Sequence, residues 1–363
     1  MSDTIFDRFL NECQEISNGL RGLGNEWPDS QDNTAFNRYI VVEQPNYLLY
    51  RYRTLKRKST IKKQESQIVL IVYSLINRAT IIDFQKNKSL VGDLLDSNCD
   101  VFLIDWKEFV FGIDDLSLAD YSLRFIEECV SEIQCITGAQ DVNLAGLCQG
   151  GVFSLLYALK NKTQVRSLAL MSTPVDFKTQ KDTISKILEH LDLKLLSAIP
   201  FVSGTMLNSF FNMLAPYSVL QKKYLTLLEK QDDHEYVSKF LSMENWRLDS
   251  PNVSGKVLAE FIDIFYLRNS FLTETVNLGE IEIGKLEELT MPILNLCGSK
   301  DRLVPSASSK ALSRLVSSEC KYREYTFDCG HIGMYTYRKA EVSPGRTMAS
   351  WFCQSFVDET KPI

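Results

Sequence analysis

Five short apolar runs recur along the chain, and segments with helical patterns separate them. The runs span residues 68–73, 101–106, 142–147, 167–172 and 293–298. Each run is apolar on both faces, which suits the central strands of a parallel sheet that is covered on both sides. The segments between the runs supply the right-handed crossovers that parallel strands need. The sequence therefore predicts a doubly wound α/β fold.

Other segments extend this prediction along the chain. Residues 39–54 read as two strands joined at a Gln-Pro-Asn turn, and residues 115–137 as one amphipathic helix. After Asp176 the alternation gives way to a largely helical stretch, which indicates an insertion between two halves of one sheet. We therefore expect an N-terminal helical segment at 1–36, an α/β core at 37–177 and 291–363, and a cap insertion at 178–290.

Composition excludes several classes of protein. The 363 residues are 45% hydrophobic and 24% charged, and the formal net charge of -6 gives no general attraction to nucleic acid or anionic lipid. No window approaches the roughly 18 apolar residues of a spanning helix, and the first residues do not resemble a signal peptide. The nine cysteines show no CxxC pair or metal-finger spacing. We expect a cytoplasmic protein without a membrane span, nucleic acid partner, metal or cofactor.

Two surface features have more than one interpretation. Apolar residues from Ile5 to Leu20 recur at spacings near three and four, so this stripe packs either on the protein's own core or on a partner. The basic run at 51–63 is either a solvated turn or a contact for an anionic substrate.

The segment GLCQGG places a cysteine between an apolar strand and a helix start. A nucleophile elbow needs this layout, because glycines two before and two after the nucleophile let strand and helix approach closely. The positive end of the helix dipole then faces Cys148, and the backbone N–H of Gln149 can donate to a developing oxyanion. Alone, the pattern fits a buried core cysteine equally well.

Two later segments supply an acid and a base. LNLCGSKDRLVP is an apolar strand leading into a loop with Asp301, and REYTFDCGHIGMY is a strand leading into a loop with His331. The chain order nucleophile, acid, histidine is that of the α/β-hydrolase fold. His331 can exchange protons near neutral pH while Asp301 orients it, so the sequence predicts a triad with Cys148. A cysteine favours acyl transfer, because exchange between thioesters keeps the acyl group activated for an alcohol.

With these residues the chain resembles the catalytic subunit of polyhydroxyalkanoate synthases, especially the short two-subunit type called class III. The resemblance covers nearly the whole chain and rests on GLCQGG, LIDW, STPVDF, ENWRLDSPN, GSKDRLVPSASSKAL and GHIGMY. It implies that Cys148 is the acylated nucleophile, His331 the general base and Asp301 the acid. It also implies polymerisation of short-chain (R)-3-hydroxyacyl-CoA into polyester, with release of CoA.

The same resemblance implies partners. Class III members work with a second, non-catalytic synthase subunit, whereas the related class IV type uses a different small partner, and the chain is short enough for either. A homo-oligomer and association with cytoplasmic polyester granules are also implied. In this family the 178–290 insertion covers the nucleophile. Its apolar stretch at 197–220 then lines an acyl channel, forms a dimer contact, contacts the granule or completes its own core.

Further residues have roles that the sequence leaves less defined. The second oxyanion donor should come from the backbone of YSLINR, where we expect Ile76. Trp106, in LIDW, either lines the site or packs in the core. Cys329 lies close to the predicted base and is expected to pack at a strand end rather than to act as a second thiol. His190 and His234 lie in polar helical stretches and are expected at the surface.

Two other functions stay open at this point. A cysteine-dependent acyl-CoA thioesterase or polyester hydrolase of the same fold would use water as acceptor and give free hydroxy acid without polymer. A non-catalytic granule-binding scaffold needs no triad, so the joint presence of Cys148, Asp301 and His331 speaks against it.

Overall fold

The computed structural model describes most of the chain. The described residues are 35–53, 66–85, 88–110, 116–179, 183–214, 217–340 and 342–354. The helical segment predicted at 1–36 and most of the basic run at 51–63 lie outside the described residues.

The described residues form twelve strands. In chain order, β1 to β12 are Arg38–Glu43, Tyr47–Tyr52, Ile68–Val72, Asp100–Trp106, Val142–Leu147, Val165–Met171, Phe201–Val202, Val253–Ser254, Val276–Leu278, Ile281–Gly284, Ile293–Gly298 and Tyr322–Phe327.

Eight of these strands form one sheet in the order β1-β2-β4-β3-β5-β6-β11-β12. The six strands from β4 to β12 run parallel, whereas β2 pairs antiparallel with both β1 and β4. Every residue of β5 and β11 is buried, as expected for central strands covered on both faces. The predicted α/β fold with a mostly parallel sheet is confirmed, and the five predicted runs match strands to within two residues.

Helices connect the strands. In chain order, α1 to α13 are Leu90–Asp96, Phe125–Thr137, Gln149–Lys160, Thr183–Leu188, Leu193–Ala198, Gly204–Leu214, Tyr217–Glu229, His234–Leu248, Gly255–Phe261, Ser270–Thr273, Ser306–Lys310, Gly333–Thr336 and Pro344–Phe352. The helix predicted at 115–137 is α2 preceded by a π-helical turn at Asp120–Arg124. It ends at Gly138, whose φ of 75° is the left-handed conformation common after helices.

Residues 203–250 form a compact unit of their own. This unit contains α6, α7 and α8, and Leu227, Val237 and Leu241 form a buried apolar cluster within it. The carboxylate of Glu244 is also buried there, and it accepts hydrogen bonds from Lys223 and Arg247. Pairing a buried carboxylate with two cations offsets the cost of removing its charge from water.

The other unit contains the sheet, together with the described residues before 203 and after 250. Helix α1 carries Asp93, whose carboxylate accepts hydrogen bonds from Arg338 at 2.6 Å and Ser343 at 2.5 Å. Arg346 of α13 adds an ion pair to the same carboxylate at 3.4 Å. One buried acid thus joins α1 to α13 within the sheet unit.

Candidate active site

Cys148 lies at the corner between β5 and α3. Its backbone has φ 55° and ψ -122°, a conformation that side-chain-bearing residues rarely adopt. The Cys148 N–H donates to the carbonyl of Met171 at the end of β6, with N and O 2.8 Å apart. The thiol is partly exposed, although every other residue from Val142 to Val152 is buried. This is the geometry expected of a nucleophile elbow.

Glycines are required on both sides of this corner. A Cβ at Gly150 would lie 2.2 Å from the carbonyl oxygen of Val72, and a Cβ at Gly146 would lie 2.5 Å from the Cα of Gly151. Helix α3 therefore starts against the end of β3 and against its own preceding strand, which explains the GxCxGG spacing.

Asp301 and His331 follow neighbouring strands and meet beside the elbow. The Oδ1 atom of Asp301 accepts hydrogen bonds from the backbone N–H groups of Leu303 at 2.9 Å and Val304 at 2.8 Å. Its Oδ2 atom lies 2.7 Å from Nδ1 of His331. The Asp301 side chain is fully buried, and these three hydrogen bonds hold its carboxylate in a single orientation toward the imidazole.

The sulfur of Cys148 lies near enough to His331 to influence the charge of the imidazole. Burial disfavours the charged imidazolium, but the nearby Asp301 carboxylate and Cys148 sulfur outweigh this effect and raise the pKa of His331 well above its usual range. The structure thus brings all three predicted triad residues together in the order thiol, imidazole, carboxylate.

The loop that follows β3 lies against the start of α3. The side-chain Oε1 of Gln149 accepts hydrogen bonds from the Leu75 N–H at 3.1 Å and from the Ser74 hydroxyl at 3.3 Å. The N–H of Ile76, the expected second oxyanion donor, donates to Ser74 Oγ at 3.0 Å. The backbone N–H of Ile76 is thus bonded within the loop in this structure, and its role as an oxyanion donor stays a prediction.

Trp106 lies in the core, where it packs edge-on against the rings of Tyr121 and Phe153. Its indole Nε1–H donates to the backbone carbonyl of Tyr73 at 2.9 Å. Of the two roles that the sequence leaves open, these contacts support packing, and they do not support the substrate-binding role predicted for Trp106. Trp106 thus contacts the loop after β3 at its first carbonyl.

Sequence reasoning missed two tyrosines beside the triad. The rings of Tyr73 and Tyr335 pack against each other with centroids 6.0 Å apart, and the Tyr335 ring lies edge-on to the His331 ring with centroids 6.4 Å apart. Burial raises the pKa of both tyrosines, so both are neutral at physiological pH. Spacing in the sequence could have indicated both residues, because Tyr335 lies one helical turn after His331 and Tyr73 directly follows β3.

The other candidate nucleophile and bases lie as expected. His190 and His234 are exposed. The thiol of Cys329 donates to the sulfur of Met334 at 3.3 Å, and burial raises the pKa of Cys329 to about 11. Cys329 therefore stays protonated near neutral pH, and its contacts are those of a packing residue.

The part of the chain that the structure describes contains no group of three or more His, Cys, Asp or Glu side chains suited to holding a metal ion. None of the helices in that part has the length and apolar character needed to cross a bilayer.

Together these contacts describe a site suited to acyl transfer. A thiol at a helix N-terminus lies near an imidazole, and the imidazole is oriented by a buried carboxylate. Such an arrangement can form a covalent acyl-thioester, because the imidazole accepts the thiol proton and returns it to a leaving group.

Comparison with known proteins agrees with this geometry. Residues 69–336 match the family model of the α/β-hydrolase fold. The chain is 35% identical to the poly(3-hydroxyalkanoate) polymerase subunit PhaC of Allochromatium vinosum over 350 residues, which is 96% of this chain and 97% of that protein. The proteins of the same name from Thiocystis violacea and Synechocystis sp. are each 35% identical, over 96% and 95% of this chain and 96% and 92% of their own lengths.

These identities extend over nearly the full length of both partners in each comparison. The chain therefore belongs to the poly(3-hydroxyalkanoate) polymerase family and is an acyltransferase of polyhydroxyalkanoate synthesis on an α/β-hydrolase fold.

Proposed function

We propose that the chain polymerises short-chain (R)-3-hydroxyacyl-CoA through a covalent thioester on Cys148, with release of CoA. The observation that carries this proposal is that His331 lies near Cys148 and is hydrogen bonded to the buried Asp301. A thioester intermediate keeps the acyl group as activated as it was on CoA, so an alcohol can still attack it.

In the acylation step, His331 takes the proton of the Cys148 thiol and the sulfur attacks the acyl carbonyl carbon. The carbonyl oxygen becomes an oxyanion, to which the backbone N–H of Gln149 donates. The carbon–sulfur bond to CoA then breaks, and His331 returns its proton to the CoA sulfur. Asp301 stabilises the imidazolium that exists between these two transfers.

In the elongation step, a 3-hydroxyl group attacks the acyl carbon on Cys148. His331 takes the hydroxyl proton as the carbon–oxygen bond forms, and it gives that proton to the Cys148 sulfur as the thioester breaks. The products are an ester bond and a free thiol, so the enzyme is ready for another monomer.

We also propose the assembly that the resemblance implies. The chain works with a second, non-catalytic synthase subunit, forms homo-oligomers and acts at the surface of cytoplasmic polyester granules. Its identity with polymerase subunits supports this proposal, because each of those relatives is named as a subunit.

The test uses the purified full chain, alone and with a partner subunit of a two-subunit synthase. CoA release from (R)-3-hydroxybutyryl-CoA, polymer and free hydroxy acid are measured separately. We expect polymer from the wild type, none from Cys148→Ala and wild-type amounts from Cys329→Ala, which removes the neighbouring packing thiol. Release of CoA with only free acid would instead indicate the thioesterase, and no release of CoA from the wild type, alone or with the partner subunit, would contradict the proposal.

A further inference from the structure

The conformation of the loop after β3 depends on one side-chain oxygen. Oε1 of Gln149 accepts from the amide of Leu75 and from the hydroxyl of Ser74, at 3.1 and 3.3 Å. The same hydroxyl oxygen accepts from the amide of Ile76 at 3.0 Å. Three consecutive residues of the loop are therefore linked to one carboxamide.

The residues of this hydrogen-bond network are buried. Ser74, Leu75 and Gln149 are 4 to 5% exposed, so water has little access to replace a lost bond. The carboxamide oxygen can accept two hydrogen bonds, and in this structure it accepts both from the loop. Removing it would leave a buried amide and a buried hydroxyl without their acceptor.

The position of Gln149 in the sequence links these contacts to the proposed reaction. Gln149 directly follows Cys148, and its backbone N–H is the first oxyanion donor in the proposed reaction. In the α/β-hydrolase fold the second donor comes from the loop that the Gln149 side chain holds. A donor contributes fully only when it lies within hydrogen-bond distance of the developing oxyanion before the reaction begins. One residue thus provides one donor and fixes the segment that provides the other.

We propose that the side chain of Gln149 is a positioning residue for acyl transfer, which holds the 74–76 loop in the conformation that stabilises the oxyanion. This inference rests on the proposed acylation of Cys148. It assigns to the carboxamide a role separate from that of the backbone N–H, and it explains why an amide occupies a buried position at this corner.

The test compares two reactions of the same thiol in the full-length Gln149→Met variant. Methionine keeps the length of the side chain but removes the oxygen. Acylation by (R)-3-hydroxybutyryl-CoA, measured as single-turnover CoA release, passes through an oxyanion. Alkylation by iodoacetamide does not. We expect acylation to fall about 10- to 100-fold, less than the roughly 100- to 1000-fold lost when an oxyanion donor is removed outright, while alkylation of Cys148 stays within about twofold.

Ser74→Ala provides the matched second variant. It removes the hydroxyl from the network and leaves the bond between Leu75 and Gln149, so we expect a smaller but still selective loss of acylation. If Gln149→Met does not fold, Ser74→Ala decides by the same comparison.

Two results would overturn the inference: unchanged acylation in both variants, or equal losses of acylation and alkylation. The second result would show damage to the thiol site rather than to the oxyanion. Failure of the wild type to release CoA would be a separate outcome, since it contradicts the proposed function itself.

Discussion

His331 lies between two groups that carry or acquire negative charge. Asp301 contacts its Nδ1 atom, and the sulfur of Cys148 is the other nearby group that favours the charged ring. Burial alone would lower the pKa of the imidazole, so the rise in this pKa shows that its two neighbours stabilise the charged ring by more than burial disfavours it. The imidazolium is the species that exists between proton transfers, and the site stabilises it before substrate binds.

Replacing Asp301 by Asn should lower the pKa of His331. The substitution removes the carboxylate that contributes most to raising this pKa, and it keeps the shape of the side chain. Titration of the His331 ring by NMR, with the three histidines assigned by single substitution, measures the change. Asp328→Asn is the control, because Asp328 is an exposed acid three residues away that contacts Lys300 instead.

The same variant has a predictable effect on stability. A raised pKa in the folded state stabilises the fold below the unfolded value of about 6.5, and this contribution is lost as pH rises through the folded value. Asp301→Asn should therefore cost more stability near pH 6 than at alkaline pH. An equal His331 pKa in the Asp301→Asn variant and the wild type would contradict the assigned cause.

At the scale of elements, the elbow depends on how closely α3 approaches β3. The position of Gly150 against the carbonyls of Val72 and Tyr73 leaves no room for a methyl group. A helix displaced from this contact would carry Cys148 and Gln149 with it, so packing between two elements sets the geometry of the nucleophile.

Gly150→Ala should destabilise the protein by about 2 kcal/mol or more, because the strand or the helix must move to admit the Cβ. Gly330→Ala is the matched control, since its Cβ would meet its nearest neighbour, the Lys300 carbonyl oxygen, at an ordinary 3.5 Å. Unfolding in urea gives both values. A loss for Gly150→Ala no larger than that for Gly330→Ala would show that the corner can relax.

The sequence predicted these elements well and their side-chain contacts poorly. Apolar runs and glycine spacing are local signals, and they were sufficient for the strands and for the elbow at Cys148. Gln149 entered the prediction only through its backbone N–H, because no local pattern shows that its side chain reaches the loop after β3. The side-chain contact of Trp106 was also not predictable from a local pattern, because its hydrogen bond to Tyr73 depends on the pairing of β3 with β4.

At the scale of the whole molecule, hydrogen bonds join parts of the sheet unit that are distant in the sequence. Asp93 on α1 accepts hydrogen bonds from Arg338 and Ser343, about 250 residues later in the chain. Nothing near Asp93 in the sequence indicates these partners, so this link was not predictable from periodicity or motif. It joins the early helix to the segment that follows His331.

Asp93→Ala should destabilise the fold by about 3 kcal/mol, because it leaves the partly buried Arg338 without its carboxylate. Asp141→Ala removes an exposed ion pair with Arg166 and should cost less than about 1 kcal/mol. Urea unfolding of both variants makes the comparison. Similar losses for the two would mean that the Asp93 link contributes no more than a surface ion pair.

The position of the insertion has a further consequence during synthesis on the ribosome. The thiol of Cys148 and the strands β3 to β6 are made before residues 203–250, whereas β11, Asp301 and His331 follow them. At bacterial and eukaryotic elongation rates the delay is on the order of ten seconds. During that interval the nascent chain holds a nucleophile without its base, so we expect it to be unable to start a polymer before translation of the base.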